Sequence, residues 1–195
     1  LPTVITNVTI SGNTMTNGLT AGAEIWSNST VLVANSTFSG NVENAARPTT
    51  SRGALSVSTY PSVSASVLQS TISGNVSNGV LSGLSLFAAA PTTIGMHLYG
   101  SIVAGNTGGS DLGAQNLDTK GDPSFANSSF AMKNSVLGSV GPSTNSTNGG
   151  GNQFGVVDPK LAPLADNGGP TRTMALLVGS PAIDAGEPTS SAMVL

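Results

Sequence analysis

Three carboxylates and one amine stand close together in this chain: Asp111, Asp118, Asp122 and Lys120. Carboxylate oxygens suit Ca²⁺, and a neighbouring lysine can act as a base. These residues are candidates for a Ca²⁺ site with a base beside it, although ligands would more naturally come from one face of successive coils, where Thr and Ser stand instead. Little else offers chemistry. His97 is the one histidine, set between Met96 and Leu98, with no second histidine or triad partner in its repeat; it is expected to face outward or lie at an edge. Serine and threonine are abundant, but a hydroxyl without a base is a poor nucleophile. No phosphate-binding Gly-rich motif precedes a helix. A second polar stretch, residues 42–52 with Glu43, Arg47 and Arg52, reads as an outward, solvated loop.

The elements that position these residues follow from a recurring phrase. It runs Thr9-Ile10-Ser11-Gly12-Asn13, Thr37-Phe38-Ser39-Gly40-Asn41, Thr71-Ile72-Ser73-Gly74-Asn75, and more loosely Ile102-Val103-Ala104-Gly105-Asn106. The closing asparagines are 28, 34 and 31 residues apart. Such a period marks a solenoid of stacked supersecondary units. Three places before each asparagine stand Ile10, Phe38, Ile72 and Val103. Eight before stand Ile5, Val33, Val67 and Leu98. Within each arm the apolar step is two, the period of a strand. The phase breaks six places back, at Asn7, Asn35, Gln69 and Gly100, so each repeat is two short strands joined at a corner and closed by a Gly-Asn turn. A degraded fifth copy, residues 134–139, is expected to place Ala131 and Val136 inward. Stretches opening at Gly22, Gly53 and Gly83 supply a third strand per coil.

Stacked in register, like residues meet. Asn13, Asn41, Asn75 and Asn106 are expected to form an amide ladder, which satisfies groups that would be costly to bury alone. Thr9, Thr37 and Thr71, with Ser11, Ser39 and Ser73, would form an outward array.

Composition agrees with thin β-coils. The 195 residues are 38% hydrophobic, 4% aromatic and 8% charged, with net charge −3 and no cysteine. The absence of a basic stripe argues against nucleic acid and anionic membranes. No apolar run approaches the length of a membrane span. Without cysteines there is no disulfide framework and no thiolate metal site. The sequence begins at Leu1, inside a repeat, and is expected to be a processed or truncated piece. Sequons at Asn7, Asn28, Asn35, Asn75, Asn127 and Asn145 could carry glycan in a suitable host.

The C-terminal stretch is different. It contains Leu164-Ala165-Asp166-Asn167-Gly168-Gly169-Pro170-Thr171, then Ala175-Leu176-Leu177, then Gly179-Ser180-Pro181-Ala182-Ile183-Asp184-Ala185-Gly186. With the Ser-Gly-Asn coils, this phrase resembles bacterial secreted right-handed parallel β-helix proteins, related in fold to pectate lyases and polymorphic outer-membrane proteins. Val178 departs from the proline that members often carry. The resemblance implies a secreted or cell-surface setting and no particular reaction.

Together these features predict an all-β, right-handed parallel β-helix of about five coils. Coils are expected over residues 1–157, a closing segment over 158–188 and a tail over 189–195. Asp166, Asn167, Gly168, Gly169, Asp184 and Gly186 are expected to build a cap folded across the last coil, hiding its sheet edge. Asp166 and Asp184 would bond turn N–H groups; Ca²⁺ is the alternative. The leading functional expectation is a non-catalytic structural or adhesive surface protein, self-associating through an open N-terminal sheet edge, with no cofactor. The alternative is a polysaccharide-binding or lyase-like protein, in which Asp111, Asp118 and Asp122 hold Ca²⁺ and Lys120 is the base. A third reading gives the Thr/Ser array to ice or a crystalline polymer.

Overall fold

The computed structural model describes residues 1–44, 46, 48–59, 64–89, 94–117, 128–141 and 145–186. The chain is all-β, with its parallel sheets stacked as a β-solenoid of about four turns. Each turn contributes a strand to up to four sheets, here labelled A to D. The first turn is β1 (Thr3–Thr6), β2 (Thr9–Ser11), β3 (Thr14–Thr16) and β4 (Ala23–Ser27). The second is β5 (Val31–Ala34), β6 (Thr37–Ser39), β7 (Val42–Asn44) and β8 (Leu55–Thr59). The third is β9 (Ala65–Leu68), β10 (Thr71–Ser73), β11 (Val76–Ser77) and β12 (Leu81–Ala89). The fourth has β13 (Gly95–Tyr99), β14 (Ile102–Val103) and β15 (Ser110–Leu117). Then β16 (Ser129–Lys133), β17 (Val136–Leu137) and β18 (Asn145–Asn148) extend the stack. Sheet A runs β1-β5-β9-β13-β16-β18, sheet B β2-β6-β10-β14-β17, sheet C β3-β7-β11 and sheet D β4-β8-β12-β15.

Register explains the core. Ile10, Phe38, Ile72 and Val103 are successive partners in sheet B. Ile5, Val33, Val67 and Leu98 are successive partners in sheet A. Both columns point inward against Leu55, Leu84 and Leu112 of sheet D. A fully buried side chain of this size contributes about 1.5–3 kcal/mol. Stacking places one in nearly every rung.

Two corners per turn make the columns possible. Asn7, Asn35, Gln69, Gly100 and Asn134 all adopt positive φ, between 46° and 57°, and so do Gly12, Gly40, Gly74 and Gly105, between 65° and 71°. The first set turns the chain from sheet A to sheet B, the second from sheet B onward. Asparagine and glycine are the residues that tolerate this conformation.

Asn134 also corrects the fifth repeat. It occupies the corner, so Met132 pairs with Leu98 and Leu137 with Val103. Leu137 and Met132 are therefore the inward residues, in place of Val136 and Ala131. A one-residue slip turns every side chain to the opposite face.

Candidate functional site

The asparagine column is a directional hydrogen-bond ladder. Asn13 Nδ2 donates to Asn41 Oδ1 at 2.9 Å, Asn41 Nδ2 to Asn75 Oδ1 at 2.9 Å, and Asn75 Nδ2 to Asn106 Oδ1 at 2.8 Å. Each accepting oxygen also takes the backbone N–H of the preceding asparagine, at 3.0–3.2 Å. The second amide hydrogen reaches back to a carbonyl: Asn41 to Ile10 O, Asn75 to Phe38 O and Asn106 to Ile72 O. Asn41, Asn75 and Asn106 are buried, while Asn13 at the first rung is exposed.

Asp111 terminates this ladder. Its Oδ1 accepts from Asn106 N at 2.9 Å and from Asn106 Nδ2 at 2.8 Å. Its Oδ2 accepts from Ser139 N at 2.9 Å and pairs with Ser139 Oγ at 3.0 Å. Both carboxylate oxygens are thus engaged inside the protein. Asp118, Lys120 and Asp122, its expected companions, lie outside the described residues. Among the described residues no group of three acidic or histidine side chains has metal-site geometry.

A second ladder stands at the other corner. Ser36, Ser70 and Ser101 receive, through Oγ, the backbone N–H of Val8, Ser36 and Ser70 respectively, at 3.2–3.4 Å. Ser101 N donates to Ser135 Oγ at 3.2 Å, and Ser135 N to Asn152 Oδ1 at 3.0 Å. The sequence reading missed this column. Its signal was present: Ser36, Ser70, Ser101 and Ser135 each follow a corner residue directly.

Residues 42–52 depart from the solvated loop expected of them. Glu43 and Arg52 are buried, at 1% and 5% exposure. Register in sheet C turns Met15, Glu43 and Ser77 to one side. Glu43 Oε2 accepts from Ser51 Oγ at 2.7 Å, Ser77 Oγ at 3.0 Å and Gly53 N at 3.1 Å, and Oε1 accepts from Arg52 N at 3.4 Å. Burial raises the Glu43 carboxyl above its ordinary value, against the lowering effect of these donors. The Arg52 side chain leaves this cluster to lie over sheet D. It pairs with Glu24, sits 3.6 Å from the Phe87 ring centre and 5.5 Å from that of Trp26. Burial lowers the guanidinium from its ordinary value, though it stays charged at neutral pH. Trp26 packs edge-on to Phe87 yet remains 59% exposed. Arg52 Nε and the Ser56, Ser58 and Ser85 hydroxyls are buried with no hydrogen-bond partner among the described residues. Arg47 lies outside the described residues.

The C-terminal segment is placed differently from the cap expected across the last coil. Residues 145–148 of β18 and the stretch around Gln153 occupy the rung beyond β16 and β17. The chain then turns back as an antiparallel ribbon, with Leu161 opposite Leu176 and Ala165 opposite Thr173. At the base, Pro159 packs on Gly105 of the fourth rung. Near the tip, Thr9 Oγ1 of the first rung donates to Arg172 O at 2.7 Å. The ribbon is a strap along the outer face of sheet B. Thr37, Ser39 and Ser73 on that face are accordingly only 4–7% exposed. Their hydroxyl-bearing, small side chains give a surface on which a ribbon can lie flat. Of the Thr/Ser array expected to face outward, Thr37, Ser39 and Ser73 are therefore buried, and Thr9, Ser11 and Thr71 are half-buried.

The cap residues shape the strap's turns. Asp166 Oδ1 accepts from Gly168 N at 2.9 Å, and Asn167 Nδ2 donates to Thr173 O and Oγ1, both at 3.0 Å. Gly169 continues this tip. Asp184 has φ 57° in the exposed turn before Gly186. His97 is exposed on sheet A and stacks on Tyr99 at 5.4 Å between ring centres. Of the sequons, Asn7, Asn28, Asn35 and Asn145 sit on exposed positions, Asn75 is buried in the ladder, and Asn127 lies outside the described residues.

No family model matches the chain, and searches of curated proteins and of solved structures return no significant match.

Proposed function

We propose that this chain is a non-catalytic extracellular structural or adhesive surface element, a right-handed β-helix of the polymorphic-outer-membrane-protein-like or pectin-lyase-like kind. The observation that carries the reading is the use made of its polar repeats. Asparagine and serine recur to bond one rung to the next, and Asp111 closes the asparagine ladder with both oxygens engaged. Its sequence points to a secreted or cell-surface bacterial setting. The sheet edge at β1–β4 takes a further rung, supplied either by a second copy or by neighbouring coils of the same protein. Its partners there are other coils; a cell surface is the partner of an outer face.

A second reading, polysaccharide binding, is favoured by one feature. Trp26 presents an exposed indole beside Glu24 and Arg52, the aromatic-plus-polar arrangement that sugar rings use. A panel of acidic and neutral polysaccharides, read for both retention and chain cleavage with and without Ca²⁺, separates the two. The structural reading expects neither. Retention abolished by Trp26→Ala would transfer the assignment to glycan binding, and cleavage would overturn the non-catalytic reading outright.

A further inference from the structure

The base of the strap carries an apolar surface that nothing in the solenoid covers. Phe154, Val157, Leu176, Leu177, Val178 and Ile183 are 43–97% exposed, with Val178 at 97% and Val157 at 87%. The buried core residues of the same types are 0–7% exposed. The two stretches that carry these side chains lie side by side. Leu177 N donates to Lys160 O at 2.9 Å, Ser180 Oγ donates to Pro159 O at 2.7 Å, and Gln153 Nε2 donates to Pro181 O. These bonds draw the stretches around 153–160 and 176–183 together. The remaining exposed large apolar side chains among the described residues, such as Val4, Trp26, Val76 and Val140, are distributed over several rungs and sheets.

We propose that this patch is the interface of a two-fold dimer of the chain. The reading rests on the chain being a self-associating structural element, and it adds a contact distinct from the β1–β4 edge. Two properties point to a second copy. The first is area: six such side chains at these exposures present about 600 Å² of apolar surface, the upper limit of what monomers show. Two copies would bury on the order of 1,200 Å², the lower bound of a specific interface. The second is charge. The patch is rimmed by exposed Asp158, Lys160 and Asp184, so both signs are present on one surface. A two-fold axis brings a surface against itself, so Lys160 of one copy can face Asp158 or Asp184 of the other. An anionic bilayer would meet a rim with an excess of one negative charge.

Sedimentation velocity on the full chain, from low micromolar to several hundred micromolar, tests this. A dimer is expected to grow with concentration, at the micromolar strength of a minimal interface. Val178→Asp should abolish this two-fold dimer with an unchanged unfolding temperature, because the side chain touches little of its own fold, and should leave end-to-end stacking at β1–β4 as it is in the parent. Lys160→Glu should weaken the dimer at least several-fold, and Lys160→Glu with Asp184→Lys should recover it. A parent chain that forms no dimer overturns the proposal. So does a dimer indifferent to Val178→Asp, or Val178-dependent binding to phosphatidylcholine–phosphatidylserine vesicles without a dimer. Failure here leaves the structural reading intact, since the stacking proposed at β1–β4 is a separate contact that Val178→Asp does not touch.

Discussion

Asn75→Ala takes one buried amide out of the middle of the ladder. The Asn75 side chain accepts from Asn41 N and Asn41 Nδ2 and donates to Asn106 Oδ1 and Phe38 O. Alanine cannot replace any of these. Asn41 N loses its partner outright in a site that excludes water, and Asn41 Nδ2 keeps only Ile10 O. An orphaned buried donor costs about 1–3 kcal/mol, and each lost bond adds about 1 kcal/mol. One orphaned donor and three further lost bonds sum to about 4–6 kcal/mol for this position. For a chain of this size each kcal/mol moves the midpoint by about 2–4 °C, so Tm should fall by roughly 10–20 °C. Asn13→Ala is the control. Asn13 is exposed and gives up only its own donation to Asn41 Oδ1, which keeps a second donor in Asn13 N. Its cost should stay below about 1 kcal/mol. Thermal and urea unfolding of both variants give the comparison. Equal shifts, or an Asn75→Ala midpoint within 2–3 °C of the parent by the same scale, would refute a ladder whose strength comes from burial.

Two further outcomes follow from other parts of the molecule. The Glu43 carboxyl is raised by burial, so the folded state holds its proton more tightly than the unfolded chain does. Stability should therefore be greatest below the unfolded value, near 4.5, and decline as pH rises through the raised folded value. Glu43→Gln should flatten that decline; urea unfolding between pH 4 and 8 would show parallel profiles if the idea is wrong. Thr9→Val removes the hydroxyl that holds Arg172 O. Tryptic cleavage after the exposed Arg172 should speed up several-fold while Tm moves little, and an unchanged cleavage rate would mean the strap tip is held by something else.

The columns were legible because their residues repeat at fixed offsets. Ile10, Phe38 and Ile72 announce one another, and so do the asparagines beside them. The corner proved a better ruler than the closing turn: Asn134 kept its place in a copy whose Gly-Asn had been lost, and Leu137 rather than Val136 went inward. Glu43 and Arg52 were misread because charged side chains in an insertion normally seek water. Here the insertion brings its own donors, Ser51, Arg52 N and Gly53 N, and an arginine long enough to reach Glu24. The strap's position was not written in any period. Its residues do not repeat, and their partners are the backs of strands whose fronts had already been explained. Trp26 offered a signal as the one tryptophan, but nothing in its spacing tied it to Arg52 or Phe87.

The bond between Thr9 and Arg172 also orders events in time. Nearly every other contact joins a coil to the one beside it, about thirty residues away, whereas this one spans 163 residues. Closing so long a loop is slow, and it requires that the coils in between already exist. During synthesis the first coil emerges 163 residues ahead of the tip of the strap. Until then the outer face of sheet B stays uncovered, open to whatever extended chain is near. A contact made last on the way in is absent from the folding barrier, so it lengthens the lifetime of the finished molecule rather than hastening its formation.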